Sequence, residues 1–184
     1  MTCIVGLISK GKVYIGGDSA AVGGLSISSR KDTKVFKNGE FMFGFTSSFR
    51  MGQLLRFSFT APDHPARMGD EEFMMTRFVN AVRECLKAGG YARAVNGEEE
   101  GGTFIVGYRG KMYLIYSDYQ VGIPSEEYAA VGCGQDLALG ALFASSVSNL
   151  EPEARINLAL GAAEAFSAGV RPPFNIISSE EPQV

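Results

Sequence analysis

Three residues near the start of the chain could act together as a nucleophile and its supports: Thr2, Asp18 and Lys34. A threonine hydroxyl is a weak nucleophile and needs a base. With Met1 removed, Thr2 would carry its own base, a free α-amine with an ordinary pKa of about 7.7–8.0. Threonine is small enough for an initiator methionine to be clipped in front of it. A nearby Lys34 ammonium would depress the amine pKa by repulsion and favour hydroxyl ionisation by attraction. Asp18 would hold Lys34 and the terminus in place. The backbone N–H groups of Thr46 and Ser47, in the stretch GFTSS, could form an oxyanion hole. Each residue also has a plain explanation. Asp18-Ser19 could be turn chemistry, Lys34 an edge-strand charge, and Thr2 an ordinary strand residue.

The spacing gains meaning from the elements around it. CIVGLI and KVYIGG read as two strands joined by Lys10-Gly11. A two-residue turn there pairs Ser9 with Lys12 and carries the register on until Cys3 faces Asp18, with Thr2 beside it. A second hairpin runs from TKVF through Lys37-Asn38-Gly39-Glu40 to FMFGFT, with Asn-Gly as the turn signal. That turn pairs Lys37 with Glu40 and Lys34 with Phe43, and sets Lys34 and GFTSS at one open end. If the two hairpins lie side by side, Thr2, Asp18, Lys34 and the Thr46-Ser47 turn converge.

A third hairpin is TFIVGY, Arg109-Gly110, KMYLIY. The strands are apolar at nearly every position, so both sheet faces are expected to be covered. Helices are expected from about Phe49 to Phe59, and over DEEFMMTRFVNAVRECLKAGG with an Asp cap and a Gly-Gly stop. They are also expected over QDLALGALFASS and over EPEARINLALGAAEAFSAG. YAAVGCG and FNIIS read as further strands. Strands that come in hairpins, with helices outside, give an α+β fold: a four-layer αββα sandwich of two antiparallel sheets.

Composition narrows the function classes. The 184 residues carry a net charge of −3, with 46% hydrophobic and 20% charged residues. These values fit one soluble domain over 1–184 and give no sign of a nucleic-acid or membrane-surface binder. A flexible loop is expected at about 94–102 and a short acidic tail at 178–184. The start lacks the basic residues and cleavage site of a signal peptide, and no apolar run is long enough to span a membrane. Three scattered cysteines, Cys3, Cys85 and Cys133, fit a reducing cytoplasm rather than a disulfide framework. One histidine and isolated cysteines leave no metal site or metal cofactor to expect. That histidine, His64, lies in the Pro-flanked stretch APDHPAR and reads as an exposed bystander, which removes a Ser-His-Asp triad.

These pieces resemble the proteasome β-type subunits of the N-terminal-nucleophile hydrolases, and more nearly the bacterial proteasome-like peptidase that works with an ATP-driven unfoldase. The matching residues are Thr2, Asp18 in GGDSA and Lys34 in TKVF. GFTSS resembles the loop that supplies the oxyanion N–H. YAAVGCGQDLALGAL resembles the strand-Gly-Ser-Gly-helix stretch whose serine supports the nucleophile, a position that Cys133 takes here. The resemblance is strong over 1–48 and fair over 128–146. It implies the sandwich fold, threonine peptidase or amidase activity without a cofactor, and a homo-oligomeric ring enclosing its sites. It also implies a peptide or protein substrate and an ATP-driven unfoldase as partner. Carried over, Ala21, Asp32 and Thr46 would line the substrate pocket, and an acid at Asp32 would favour a basic side chain. The stretch AFSAGVRPPFN departs from the family pattern: Ser167 and Val170 stand near positions where an acid and a serine are usual, and Glu164 would have to turn inward to replace the acid. Two other readings stand beside this one. The chain could be a non-catalytic, proteasome-like structural or assembly subunit of the kind a phage would encode. Or it could be a cysteine amidase using Cys3, which alternates to the face opposite Thr2 and reads more simply as core.

Overall fold

In the computed structural model, which describes residues 1–95 and 97–179, tight turns set the strand registers. Lys10 and Gly11 both have positive φ, 50° and 74°, as a two-residue hairpin turn requires. They join β1 (Cys3–Ser9) to β2 (Lys12–Gly17), with Ser9 opposite Lys12 and Ile4 opposite Gly17. A short ribbon follows, β3 (Ala20–Gly23) and β4 (Ser26–Ser29). Next come β5 (Val35–Asn38) and β6 (Phe41–Phe45). Their register differs from the expected one. Asn38 pairs with Phe41 and Val35 with Gly44, so Gly39-Glu40 is the turn. Asn38 stays in the strand because its side-chain amide donates to the carbonyls of Leu55 and Phe59, at 3.0 Å each. Lys34 consequently lies across from Phe45, whose N–H donates to the Lys34 carbonyl at 3.0 Å.

Helix α1 (Phe49–Phe57) starts at Ser48, whose hydroxyl accepts from the Arg50 N–H. A longer helical stretch comprises α2 (Asp70–Phe73), a π-turn (Met74–Phe78) and α3 (Val79–Ala88). Asp70 sits inside its first turn rather than capping it, and its carboxylate pairs with Lys111 at 3.0 Å. A two-stranded ribbon, β7 (Arg93–Val95) and β8 (Glu98–Glu100), occupies part of the segment expected to be a loop. Arg83 reaches across from α3 to bind Glu99 in that ribbon. The rest is β9 (Phe104–Tyr108), β10 (Lys111–Ile115), β11 (Val121–Gly122), β12 (Tyr128–Gly132), α4 (Gln135–Ala144), α5 (Pro152–Phe166) and β13 (Asn175–Ser178). The expected acidic tail lies, from residue 180 on, outside the described residues.

The main strands form two antiparallel sheets, ordered β12-β1-β2-β13 and β11-β10-β9-β6-β5. Side chains alternate across each strand, so one strand feeds two cores. Ile4 and Ile15 of the first sheet meet Val35, Met42, Ile105 and Met112 of the second. Cys3, Val5 and Leu7 point the other way, onto Ala138, Leu142, Ile156 and Leu160 of α4 and α5. The second sheet buries Phe43, Phe104 and Val106 against Met51, Leu55, Phe78 and Leu86 of its own helices. Burying one such side chain contributes about 1.5–3 kcal/mol. Close approach of the sheets needs Gly44, where a Cβ would sit 2.5 Å from Ile4 Cγ2.

His64 is not an exposed bystander. Its side chain is 7% exposed and stacks on Phe73 at 4.3 Å. One ring nitrogen lies 2.8 Å from the Tyr108 hydroxyl and the other 2.8 Å from the Met68 carbonyl. A carbonyl only accepts, so Nε2 holds a proton and donates to Met68. Both nitrogens are thus committed away from Thr2 and Asp18. No helix among the described residues is long and apolar enough to cross a membrane.

Candidate functional site

The first hairpin delivers Thr2 and Asp18 to one end of its sheet. Asp18 follows β2 directly, and its backbone N–H donates to the Cys3 carbonyl at 3.3 Å. Its carboxylate is fully buried and surrounded by donors. Oδ1 accepts from the Cys3 N–H at 3.0 Å and from Lys34 Nζ at 2.9 Å. Oδ2 accepts from the Ala20 N–H at 2.8 Å and the Arg171 N–H at 3.3 Å. A buried carboxylate needs this many partners to offset lost hydration.

Lys34 stands just before β5, and its side chain is 1% exposed. Its ammonium donates to Asp18 and, at 2.9 Å, to Thr2 Oγ1. Burial pulls its pKa below the usual lysine range, and the Asp18 carboxylate acts in the opposite direction. The Thr2 hydroxyl donates to the Met1 carbonyl at 2.5 Å, and the Thr2 N–H to Cys133 Sγ at 3.2 Å. Lys34 thus lies within hydrogen-bond reach of both Thr2 and Asp18, the two residues that the sequence spacing brings toward it.

The surrounding backbone closes tightly on Thr2. Gly132 ends β12 with φ 103°, a conformation that favours glycine, and a Cβ there would overlap the Thr2 carbonyl oxygen. The next residue, Cys133, brings its thiol to the Thr2 nitrogen and to the Ser167 hydroxyl, 3.6 Å away. Glu164 makes no hydrogen bond or ion pair to Thr2, Asp18, Lys34 or Cys133. Val170 is buried in the helix-side core. Cys3 is also buried there, and burial first, then the Asp18 carboxylate, pushes its thiol up to about 12.

The Thr46-Ser47 turn lies beside this cluster but divides its amides. The Thr46 N–H and hydroxyl both donate to the Thr103 carbonyl, at 3.0 and 2.8 Å. Ser47 has φ 59°, and its hydroxyl accepts from the Thr103 N–H at 3.1 Å. Among the described residues the Ser47 N–H donates to nothing, so of the two expected donors it is the one left free. Thr103, Gly132 and the Arg171 amide escaped the sequence reading. Thr103 and Arg171 act through backbone atoms, which carry no residue-type signal. Gly132 was legible only as part of the strand-Gly-Cys-Gly stretch.

A cavity of about 80 Å³ opens on Thr2, walled on one side by Ala20, Val22, Lys34, Phe45 and Phe49 and on the other by Met1 and the Thr46-Ser47-Ser48 turn, so the expected Thr46 does line it. Ala21 lies on β3 between the two residues that face this cavity and does not line it. Asp32 does not line it either. It holds Arg30 in a two-pronged pair, 2.6 Å on each prong, and borders a separate cleft of about 90 Å³. A larger cavity of about 540 Å³ runs along β12 and shares only Thr46 with the Thr2 cavity. Among the described residues no group of three or more His, Cys, Asp or Glu side chains could hold a metal ion.

Compared by sequence, the chain matches no protein-family model and no curated protein. Compared by structure, it matches proteins along nearly its whole length. Thiobacillus denitrificans BPH superposes with a TM-score of 0.81 at 21% identity, covering 97% of this chain and 98% of that one. The same protein solved with epoxomicin gives 0.80. HslV from Trypanosoma brucei gives 0.68 at 17% identity, covering 98% of this chain and all of the other. A Gly-1 mutant of Anbu from Hyphomicrobium sp. strain MC1 gives 0.67 at 13% identity, over 98% of this chain and 82% of that one. The chain has the fold of these HslV-like, proteasome-type proteins. At such identities the likeness speaks for the fold, and any activity must be argued from this chain's own side chains.

Proposed function

We propose that the protein is a threonine-type N-terminal-nucleophile hydrolase that cleaves peptide or amide bonds through Thr2 once Met1 is removed. The observation that carries this reading is the Lys34 ammonium, buried and held between Asp18 and the Thr2 hydroxyl at 2.9 Å from each. A buried ion pair can often be replaced by apolar residues at no cost in stability, so its aim at a hydroxyl argues for chemistry. That favours an active enzyme over a non-catalytic subunit. A Cys3 nucleophile is disfavoured, since its thiol is buried on the opposite face and resists ionisation.

In this reading the freed Thr2 α-amine takes the hydroxyl proton as Oγ1 attacks the substrate carbonyl carbon. Lys34 stabilises the developing alkoxide, and its depressed pKa also makes it able to release a proton. The carbonyl oxygen becomes an oxyanion that accepts from the Ser47 N–H. The tetrahedral intermediate then collapses. The C–N bond breaks, the leaving amine takes the proton from the α-amine, and an ester to Thr2 remains. Water, activated by the same amine, hydrolyses that ester. Cys133, with Ser167 behind it, orients the amine. A thiol is a weaker hydrogen-bond partner than a hydroxyl, so a serine there is expected to hold the amine at least as well.

The larger-scale parts of the proposal follow the fold. The three cores stack as a four-layer helix–sheet–sheet–helix sandwich. Copies assemble into a ring that encloses the Thr2 sites, in the cytoplasm, and an ATP-driven unfoldase supplies protein substrates. The test is turnover of fluorogenic peptide amides by the purified protein. Activity is expected in the parent, to be retained in Thr2→Ser and lost to background in Thr2→Ala. Equal turnover in the parent and in Thr2→Ala would end the proposal.

A further inference from the structure

Ser47 holds a backbone shape that serine seldom takes, and the bonds around it show what keeps it there. Its φ of 59° lies in the left-handed region, where a Cβ is crowded. The Ser48 N–H donates to the Thr46 carbonyl at 2.6 Å and closes a three-residue turn around Ser47. With a positive φ at its centre, this is the rarer and more strained form of such a turn. Glycine would adopt it freely. A strained residue persists only where its surroundings over-determine it.

The strand ladder supplies that restraint. β6 and β9 pair as far as Phe45 and Phe104, so Thr46 comes next, opposite Thr103. A regular antiparallel pair of this kind exchanges two bonds. The first is present: the Thr46 N–H donates to the Thr103 carbonyl at 3.0 Å. The return bond is rerouted. The Thr46 carbonyl is taken by the Ser48 N–H, and the Thr103 N–H donates to the Ser47 hydroxyl at 3.1 Å. The Ser47 side chain thus stands in for a backbone carbonyl at the last rung. The Thr46 hydroxyl reinforces the junction, donating to the Thr103 carbonyl and lying 3.2 Å from the Ser47 hydroxyl. The neighbouring strand leaves little slack. A Cβ at Gly102 would sit 3.0 Å from the Ser47 Cβ and overlap Met51 Sδ. Serine here combines a positive φ with a tether, which glycine cannot do. Its own N–H meets no acceptor among the described residues, and the residue borders the cavity that opens on Thr2.

We propose that Ser47 is a positioning residue for acyl transfer: through the bond from the Thr103 N–H to its hydroxyl, its side chain fixes its own N–H in place to receive the oxyanion. Oxyanion stabilisation is large when the donor is already held before the charge develops. A glycine would take the same φ without strain but leave the turn free to rotate. This rests on Thr2 being the nucleophile and on the Ser47 N–H being the oxyanion donor.

The experiment compares the full-length parent with Ser47→Gly and Ser47→Ala on one fluorogenic peptide amide. Turnover is expressed per Thr2 labelled by an N-terminal-threonine-directed probe, so that loss of folded protein does not count. Affinity for a peptide aldehyde is measured alongside, because its adduct with Thr2 carries an oxygen at the oxyanion position. Ser47→Gly removes the tether and relieves the strain, so its melting temperature should stay close to the parent's. Its kcat should nevertheless fall at least about tenfold with KM within about threefold, a part of the roughly 10²–10³-fold that loss of a whole donor costs. Ser47→Ala keeps the strain without the tether and should fall further. Aldehyde affinity should weaken in step with kcat. Parental kcat and aldehyde affinity in Ser47→Gly would overturn the assignment and leave Thr2 as nucleophile. A loss carried by KM alone, with aldehyde affinity unchanged, would overturn it too, since Ser47 would then act in substrate binding. A parent with neither turnover nor a probe adduct overturns the threonine-nucleophile reading as well.

Discussion

Lys34 carries a charge at a place where water cannot reach it, and the consequences are measurable. Its ammonium is compensated by Asp18, and Asp18 in turn by the backbone N–H groups of Cys3, Ala20 and Arg171. Replacing Lys34 with alanine leaves a buried carboxylate without its counter-ion. Loss of one partner of a buried pair costs about 3–5 kcal/mol, so the denaturant midpoint of Lys34→Ala should fall sharply. Hydrolysis by whatever remains folded should drop by about 10²–10⁴-fold. An unchanged midpoint would show that the pair is not buried as described.

The same lysine gives a signed pH dependence. Its folded pKa is below the ordinary 10.5, so between the lowered value and 10.5 the unfolded chain binds more protons than the folded one. Stability contributed by this group therefore rises with pH through that window, and below it the penalty for burying the charge is fully present. Parent and Lys34→Met, compared by urea unfolding at several pH values from 7 to 10, should differ by a slope of this sign. A difference that falls with rising pH would contradict it.

At the scale of elements, the site is a product of turns and strand ends. Lys10-Gly11 fixes the first register, and through it the position of Asp18 relative to Thr2. That relation was legible from residue spacing alone. The second register was not, because Asn38 reads as a turn residue until its amide is seen to serve the carbonyls of α1 and the loop after it. The shift moves the partner of Lys34 from Phe43 to Phe45 without moving Lys34 from the open end of the hairpin. Ala20–Gly23 and Ser26–Ser29 went unread as strands because alanine, serine and glycine give no alternating apolar pattern. His64 was misjudged for a related reason. Its proline neighbours signal a loop, and nothing in the sequence shows that Phe73 and Tyr108 fold over it.

Gly132 gives the sharpest prediction at this scale. Alanine there would adopt φ 103° and press a methyl group into the Thr2 carbonyl. Strain of this kind costs about 1–3 kcal/mol, and the backbone overlap adds to it. Gly132→Ala should therefore lower stability and displace Thr2 enough to reduce kcat more than it changes KM. A variant with parental kcat and melting temperature would show that the strand end has room the structure denies.

For the whole molecule, the likeness to BPH, HslV and Anbu extends over at least 97% of the chain, and every large element takes part. The helix positions and the hairpin order were readable from periodicity and glycine turns, since each uses local sequence. The convergence of Arg171 and Thr103 on the site was not, since it depends on how distant segments pack and runs through backbone atoms, and Cys133 was reached only through the family resemblance. Ring assembly belongs to this scale as well. Native mass spectrometry of the full chain is expected to give one closed oligomer of many copies, and a monomer at micromolar concentration would contradict an enclosed site.

The most direct test of the central claim is the intact mass of the protein purified from its native context. Threonine catalysis requires a free α-amine on Thr2, so the mass should be short of the full sequence by one methionine residue. A mass that retains Met1 would leave the base blocked as an amide, and Thr2 could not then be the self-activating nucleophile described here.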